Sequence, residues 1–295
     1  MKKILVPLHV SGLWIPFKSR DLVETGSYGA GLNLDLYVEA YAEIGECGIY
    51  LNNMRVLEEQ SGRICRDSGL SILVRAQSPV GLGKGFGVSA SLLIAHALAA
   101  FHARRLPSLK ALQEAHVVEV EYSTGLGDVL SEYTGGFALR LKPGAPGIGL
   151  AHRVLLHEKP LLVVAELPWS EPTGRMLSRI SSGLYEEAYT FFRRVVETED
   201  LADFFHYSQV FTRRIFDYKP VDDLLKKARG VISYYLKKAA LIVWVERESA
   251  SNVVELLEER GLKVFKSTIS DRGVTVDNTS ESPEKGKPAY KGKTG

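Results

Sequence analysis

The sequence predicts an α+β protein, and three observations carry that reading. Residues 32–40 alternate apolar Leu32, Leu34, Leu36, Val38 and Ala40 with Asn33, Asp35, Tyr37 and Glu39, the period of two of a half-buried strand. The run SASLLIAHALAAFHARR (89–105) is helical by composition, and it follows directly on a glycine-rich stretch. The second half mixes long helical patterns with short apolar runs, as expected when strands and helices share a domain.

Taken in order, ILVPLHV predicts the first strand and residues 32–40 a second. The alanine-rich helix follows, and Pro107-Ser108 starts another, SLKALQEAHVVEVEY, with Leu109, Leu112 and Val120 among its apolar positions. GGFALRL (135–141) reads as a strand, PGAPGIG (143–149) as a turn-rich connector and PLLVVAELP (160–168) as a further strand. Residues 183–238 read as mostly helical, in three stretches: LYEEAYTFFRRVVET, LADFFHYSQVFTRRI and PVDDLLKKARGVISYYLKKAA. LIVWV is a strand, SASNVVELLEERG a capped amphipathic helix ended by Gly261, and KVFKSTIS with GVTV a final strand or hairpin. The expected organisation is a first domain over 1–157, a second over 158–276, and a disordered tail over 277–295, which has almost nothing to bury.

Composition excludes several classes of function. Lys+Arg of 37 against Asp+Glu of 35 gives a net charge of +2, with no aromatic and basic stripe, so neither nucleic acid nor an anionic membrane is expected as a partner. Cys47 and Cys65 stand apart from any CxxC or histidine cluster, which indicates neither a zinc site nor a disulfide framework and makes a reducing compartment the expectation. The N-terminus has too short an apolar stretch for a leader or membrane span, so a cytoplasmic location is expected.

The chemistry is read from PVGLGKGFGVSAS (79–91), with glycine at 81, 83, 85 and 87. Glycine carries the largest conformational cost on folding, so this spacing implies backbone shapes or close approaches that a side chain forbids. A glycine stretch emptying into a helix presents unpaired amides and the positive end of the helix dipole, a phosphate site. Gly83, Gly85, Gly87, Val88, Ser89 and Ala90 are the candidate nucleotide-binding residues, and Ser89 either caps the helix or faces a metal or phosphate. Lys84 is followed by Gly85 rather than Ser or Thr, which rules out a Walker loop, and no HRD or DFG element follows.

A second stretch adds acids. His116 and Glu119 lie three apart on one helix face, and Asp128 follows the tight turn Thr124–Gly127. One carboxylate, one hydroxyl and nucleotide phosphates make a typical magnesium environment, because a small hard cation keeps several waters and takes few protein ligands.

These motifs together resemble the GHMP superfamily of small-molecule kinases, and within it the archaeal branch that phosphorylates pantoate. The likeness rests on HVSG (9–12), GSYGAGLNLD (26–35), GFGVSAS (85–91), AHVVEV (115–120), TGLGDV (124–129) and GGFALRLKPGAPG (135–147). It implies an N-terminal domain of the ribosomal-protein S5 domain 2-like fold, a ferredoxin-like C-terminal domain, ATP and Mg2+ as cofactors, and pantoate as the small-molecule substrate. It assigns Ser89 and Glu119 to the metal and Asp128 to the accepting hydroxyl. Ser27, His116 and Arg140 fall on positions associated with the hydroxy acid, with Thr173 as a further substrate-side hydroxyl. Arg140 suits a carboxylate because a planar guanidinium grips it with two parallel bonds. The place of the superfamily's third glycine-rich motif is taken by GVISYYLKKAALIVWV (230–245), with Gly230 alone. A homodimer is expected from the commonness of twofold assemblies. Two alternatives stay open: a kinase for another small alcohol such as homoserine or mevalonate, and a non-catalytic metabolite sensor.

Overall fold

The computed structural model describes residues 3–169 and 171–277; the expected disordered tail lies, but for Asp277, outside them. Two long antiparallel strands, β1 (Lys3–Phe17) and β2 (Gly26–Ile44), form the spine of the first half. Both exceed the strands expected from the sequence, because β2 serves two neighbours along one edge. Its C-terminal part pairs with β5 (Ile72–Gln77) at Glu39–Ile44, and its N-terminal part with β6 (Phe137–Lys142) at Gly29–Leu32. Between these pairings, Asn33 departs from the alternation. It is fully buried, and its side-chain amide donates to the carbonyls of Ser131 and Gly136 at 3.0 Å each.

Short strands β3 (Gly48–Leu51) and β4 (Met54–Val56), then helix α1 (Glu58–Ser68), precede β5, and β3 runs parallel to β5. Helices α2 (Val88–Ala103), α3 (Ser108–Glu121) and α4 (Asp128–Thr134) pack behind the sheet, and β7 (Leu150–Val154) pairs with β6. Helix α2 is apolar on nearly all faces because it is the central buried helix of this layer.

The second half builds a four-stranded antiparallel sheet. Its members are β8 (Leu161–Glu166), β9 (Val231–Lys237), β10 (Ala240–Val245) and β11 (Lys263–Ser267), in the order β11-β8-β10-β9. Helices α5 (Thr173–Ser178), α6 (Ser182–Thr198), α7 (Leu201–Arg213) and α8 (Lys219–Leu225) lie between β8 and β9, and α9 (Ala250–Glu258) precedes β11. The chain then returns to the first sheet, where β12 (Thr275–Asp277) pairs with β1. The proposed boundary at 157 falls in the loop between β7 and β8, but the hydrophobic core runs across it. Phe204 of α7 packs 4.9 Å from Phe137 of β6, ring centre to ring centre.

Three expectations are corrected. Residues 231–237 form a strand, not the end of a helix: Gly230 turns at φ +69, and Val231, Ile232, Tyr234 and Tyr235 are β-branched or aromatic residues that fit a pleated surface. Helix α9 has no side-chain cap at its N-terminus. Cys47 and Cys65 are joined in a disulfide, with Cα atoms 6.4 Å apart, within the normal range. The bond links the turn before β3 to α1, contacts that only the folded chain creates. Closing a loop of 18 residues is worth about 3 kcal/mol in the chain-entropy description. Reduction is expected to lower the thermal midpoint, and thiol titration of the denatured, unreduced chain should find no free thiol.

Candidate active site

The glycine loop folds over the N-terminus of α2, and three of its four glycines need to be glycine. Gly83, Gly85 and Gly87 sit at φ +79, +98 and +73, in the left-handed region. A Cβ at Gly85 would collide with the carbonyl of Lys237, and one at Gly87 with Glu132 Oε1. Gly81 has no such conformation; its amide donates to Glu166 Oε2 at 3.0 Å. Lys84 ties the loop to the second half by donating to the carbonyl of Trp169 at 3.0 Å.

Beneath the loop lies a cavity of about 380 Å³. Its walls are the loop and the start of α2, the segment Tyr122–Asp128, the start of α5 and the tip of the β9–β10 hairpin. Ser27, Ser89, Asp128, Arg140 and Thr173 all face it, as do Gly83, Gly85, Gly87 and Val88. Ala90, His116 and Glu119 are fully buried and do not line it.

Ser89 is not a helix cap. Gly87 holds that position, and the Ser89 hydroxyl is buried without a hydrogen-bond partner. Glu119 sits behind Gly125, which must be glycine because a Cβ there would run into the carboxylate. Neither Glu119 oxygen makes a hydrogen bond of ordinary geometry. Burial holds its pKa well above the usual carboxylate range, and the nearby Asp128 charge adds to this. The Val129 amide, Arg140 and Lys238 pull the other way. An orphaned hydroxyl and an orphaned buried carboxylate are what a hard cation would satisfy, so the donor set fits magnesium. Asp128 opens α4 directly after Gly127 rather than sitting in a free turn.

Arg140 is only 1% exposed, so it is no surface strand residue. Its guanidinium donates to Ser131 Oγ at 2.8 Å and more loosely to His9 Nε2 at 3.3 Å and to Ser11 Oγ and the Leu13 carbonyl at 3.4 Å each, while Nε has no partner. Burial lowers its pKa to about 10, opposed by the charges of Asp128 and Glu119, and it remains a cation. His9 beside it is pushed down to about 3, chiefly by burial, and stays neutral. Among the described residues Arg140 has no carboxylate within salt-bridge distance, which leaves it available to an anion.

His116 acts at one remove: Nε2 donates to the Thr25 carbonyl at 2.8 Å and so fixes the chain leading into Ser27. Thr173 donates to the Thr124 carbonyl and accepts from Lys238 Nζ, both at 2.7 Å, which closes the cavity between the two halves.

Three charged residues escaped the sequence reading. Lys237 and Lys238 are hidden when their segment is taken as helix; read as a hairpin, a strand ending in Lys237 and a turn opening on Lys238 bring two cations beside the glycine loop. Glu132 lies two residues before the Thr134–Gly135 turn and carried no local signal. It is fully buried, accepts from Ser91 Oγ at 3.0 Å, and its pKa is raised well above the ordinary value by burial.

No protein-family model matches the chain. Pantoate kinase of Thermococcus kodakarensis is 30% identical over 192 residues, covering 60% of this chain and 61% of that protein. Pantoate kinase of Methanocaldococcus jannaschii is 30% identical over 155 residues, covering 48% and 54%. The chain thus matches less than two thirds of the length of these curated relatives. A solved phosphotransferase related to the CoA biosynthesis pathway superposes with a TM-score of 0.78 at 22% identity, covering 95% of this chain and 99% of that one. Mevalonate diphosphate decarboxylase in complex with MVAPP, AMPPCP and magnesium gives 0.69 at 16% identity, covering 94% and 99%. A homoserine kinase of Cytophaga hutchinsonii gives 0.66 at 14% identity, covering 93% and 96%. The resemblance to the pantoate-phosphorylating branch stands over the matched stretches, and the mixed α and β architecture is the one these phosphotransferases share.

Proposed function

We propose that the chain is an ATP-dependent kinase that phosphorylates the primary hydroxyl of pantoate, giving 4-phosphopantoate for coenzyme A synthesis. The observation that carries this reading is the convergence, on one cavity, of a glycine loop at a helix N-terminus, the unpaired Ser89 hydroxyl, Asp128 and a buried Arg140 that has no carboxylate partner among the described residues. Similarity to curated pantoate kinases supports the substrate, and the AMPPCP- and magnesium-bound neighbour supports the nucleotide and metal.

In this reading the loop amides and the start of α2 hold the nucleotide phosphates. Ser89 and Glu119 would hold Mg2+, which when bound neutralises charge on those phosphates. Asp128 accepts or orients the proton of the attacking hydroxyl, with little base strength needed in a loose phosphoryl-transfer transition state. Arg140, with Ser27 facing the same cavity, takes the carboxylate of the substrate. His116 and Thr173 hold the walls through Thr25 and Thr124. We further take 1–157 and 158–276 as the S5-like and ferredoxin-like units, the latter lending β12 to the first sheet.

The test is purified protein with ATP, magnesium and a panel of pantoate, homoserine, mevalonate and shikimate, with products weighed by mass spectrometry. A phosphorylated product from pantoate alone is expected; product only from another alcohol would replace the substrate. Arg140→Lys keeps the charge and loses the two-pronged geometry. It should raise KM for pantoate about ten- to hundredfold, as when a charge-assisted contact worth roughly 1.5–3 kcal/mol is lost, with KM for ATP little changed. Equal losses for both substrates would mean that Arg140 only supports the fold.

A further inference from the structure

The tip of the β9–β10 hairpin, packed against the glycine loop, brings two lysines to the cavity wall. The tip is clamped there: the Ala239 amide donates to the Lys84 carbonyl at 3.1 Å, and Gly85 leaves just enough room for the Lys237 carbonyl. Lys238 takes a left-handed conformation, φ +53, that a non-glycine residue adopts only at a cost. Its side chain is 6% exposed, and its ammonium donates to Thr173 Oγ1. The Lys237 ammonium lies 3.1 Å from the centre of the Trp14 ring.

Among the described residues, neither ammonium has a carboxylate within salt-bridge distance. The contrast is Lys219 and Lys226 on the surface, both of which pair with Asp223. Two adjacent cations, Lys238 buried and Lys237 half-buried, with one hydroxyl and one ring as their contacts, repel each other unless an anion joins them. Asp128, Glu119 and Glu171 are near enough to favour their charged forms, whereas burial and the Lys237–Lys238 repulsion oppose them. The hairpin-tip lysines, the glycine loop and Asp128 all line the same cavity. Arg140 is near enough to Lys237 to oppose its charge, and its guanidinium is oriented by its bond to Ser131.

We propose that Lys237 and Lys238 form the anion subsite for the transferred terminal phosphoryl group of the nucleotide, with Lys238 the closer partner. The assignment rests on the kinase reading above and adds residues to it. A mobile point charge suits this task, because it can follow the phosphoryl oxygens as they move from leaving to accepting oxygen.

The experiment compares binding of the non-hydrolysable analogue AMPPCP and of ADP by calorimetry, both with MgCl2, in the full chain and in Lys238→Met, Lys238→Gln and Lys238→Arg. The neutral variants should weaken AMPPCP about ten- to hundredfold, leave ADP within about threefold, and lower kcat by about a hundredfold or more. Lys238→Arg should recover most of the AMPPCP affinity, and Lys237→Gln should show the same pattern more weakly. Thermal unfolding of each variant checks that the hairpin still folds; if one neutral variant fails, the other carries the comparison. Equal losses for AMPPCP and ADP, no loss for either, or a raised KM for pantoate with nucleotide binding intact would each overturn the assignment. The calorimetry contains no alcohol, so it is read independently of whether pantoate is the acceptor. Failure of the wild-type chain to bind either nucleotide would overturn the kinase reading together with this one.

Discussion

Replacing Asp128 with asparagine is expected to lower kcat by about a hundredfold or more while leaving KM for ATP and for the alcohol within a few-fold, the scale of a positioned acid–base group. The substitution keeps the side chain's shape at the first position of α4 and removes only its charge and proton-accepting capacity. Asp128 faces the cavity and lies close enough to Arg140, Lys237 and Lys238 to favour the charged form of each. Its loss therefore also removes the one anion in the cavity wall that these cations share. The measurement is steady-state ADP release, with circular dichroism to confirm the fold. A variant with kcat within about threefold of wild type would take Asp128 out of the chemistry and leave it an electrostatic support.

Ser89→Ala and Glu119→Gln are each expected to depress turnover by about a hundredfold, and the double variant should lose less than the product of the two, because both groups serve one ion. The basis is that the Ser89 hydroxyl is buried without a partner and that the fully buried Glu119 oxygens make no hydrogen bond of ordinary geometry. A readout independent of turnover is available. MgCl2 with AMPPCP should raise the thermal midpoint of the wild-type chain by mass action and should raise it much less in either variant. Full retention of that stabilisation in both variants would show that the cation, if bound, is held elsewhere. Glu119 differs from Asp128 in having no access to the cavity, so its effect should pass through the ion and the Gly125 backbone against which it packs.

Much of the site was legible because its chemistry is written in contiguous stretches. The glycine spacing from 81 to 87, the serine two residues on and the Thr124–Asp128 turn each carry their meaning locally, in backbone freedom and short-range geometry. Residues whose meaning depends on distant partners were read less well. His116 looked like a substrate ligand, yet it spends its ring nitrogen on the Thr25 carbonyl, 91 residues away in sequence. Asn33 looked like the polar phase of a strand and is instead a buried tie to Ser131 and Gly136. Cys47 and Cys65 carried no spacing signal at all.

By itself the sequence determined the α+β class, the order of most strands and helices, and a glycine loop opening onto the N-terminus of α2, because periodicity and glycine placement act within a few residues. Only the tertiary structure decided that 231–237 is a strand, that its end and the turn after it set Lys237 and Lys238 beside that loop, and that β12 closes back onto β1. The physical reason is the same in each case. The mixed lysine, tyrosine and β-branched residues of 231–237 are locally compatible with either period, and pairing with β10 makes the choice, while the partner of the strand read at 275–277 is set by the distant β1.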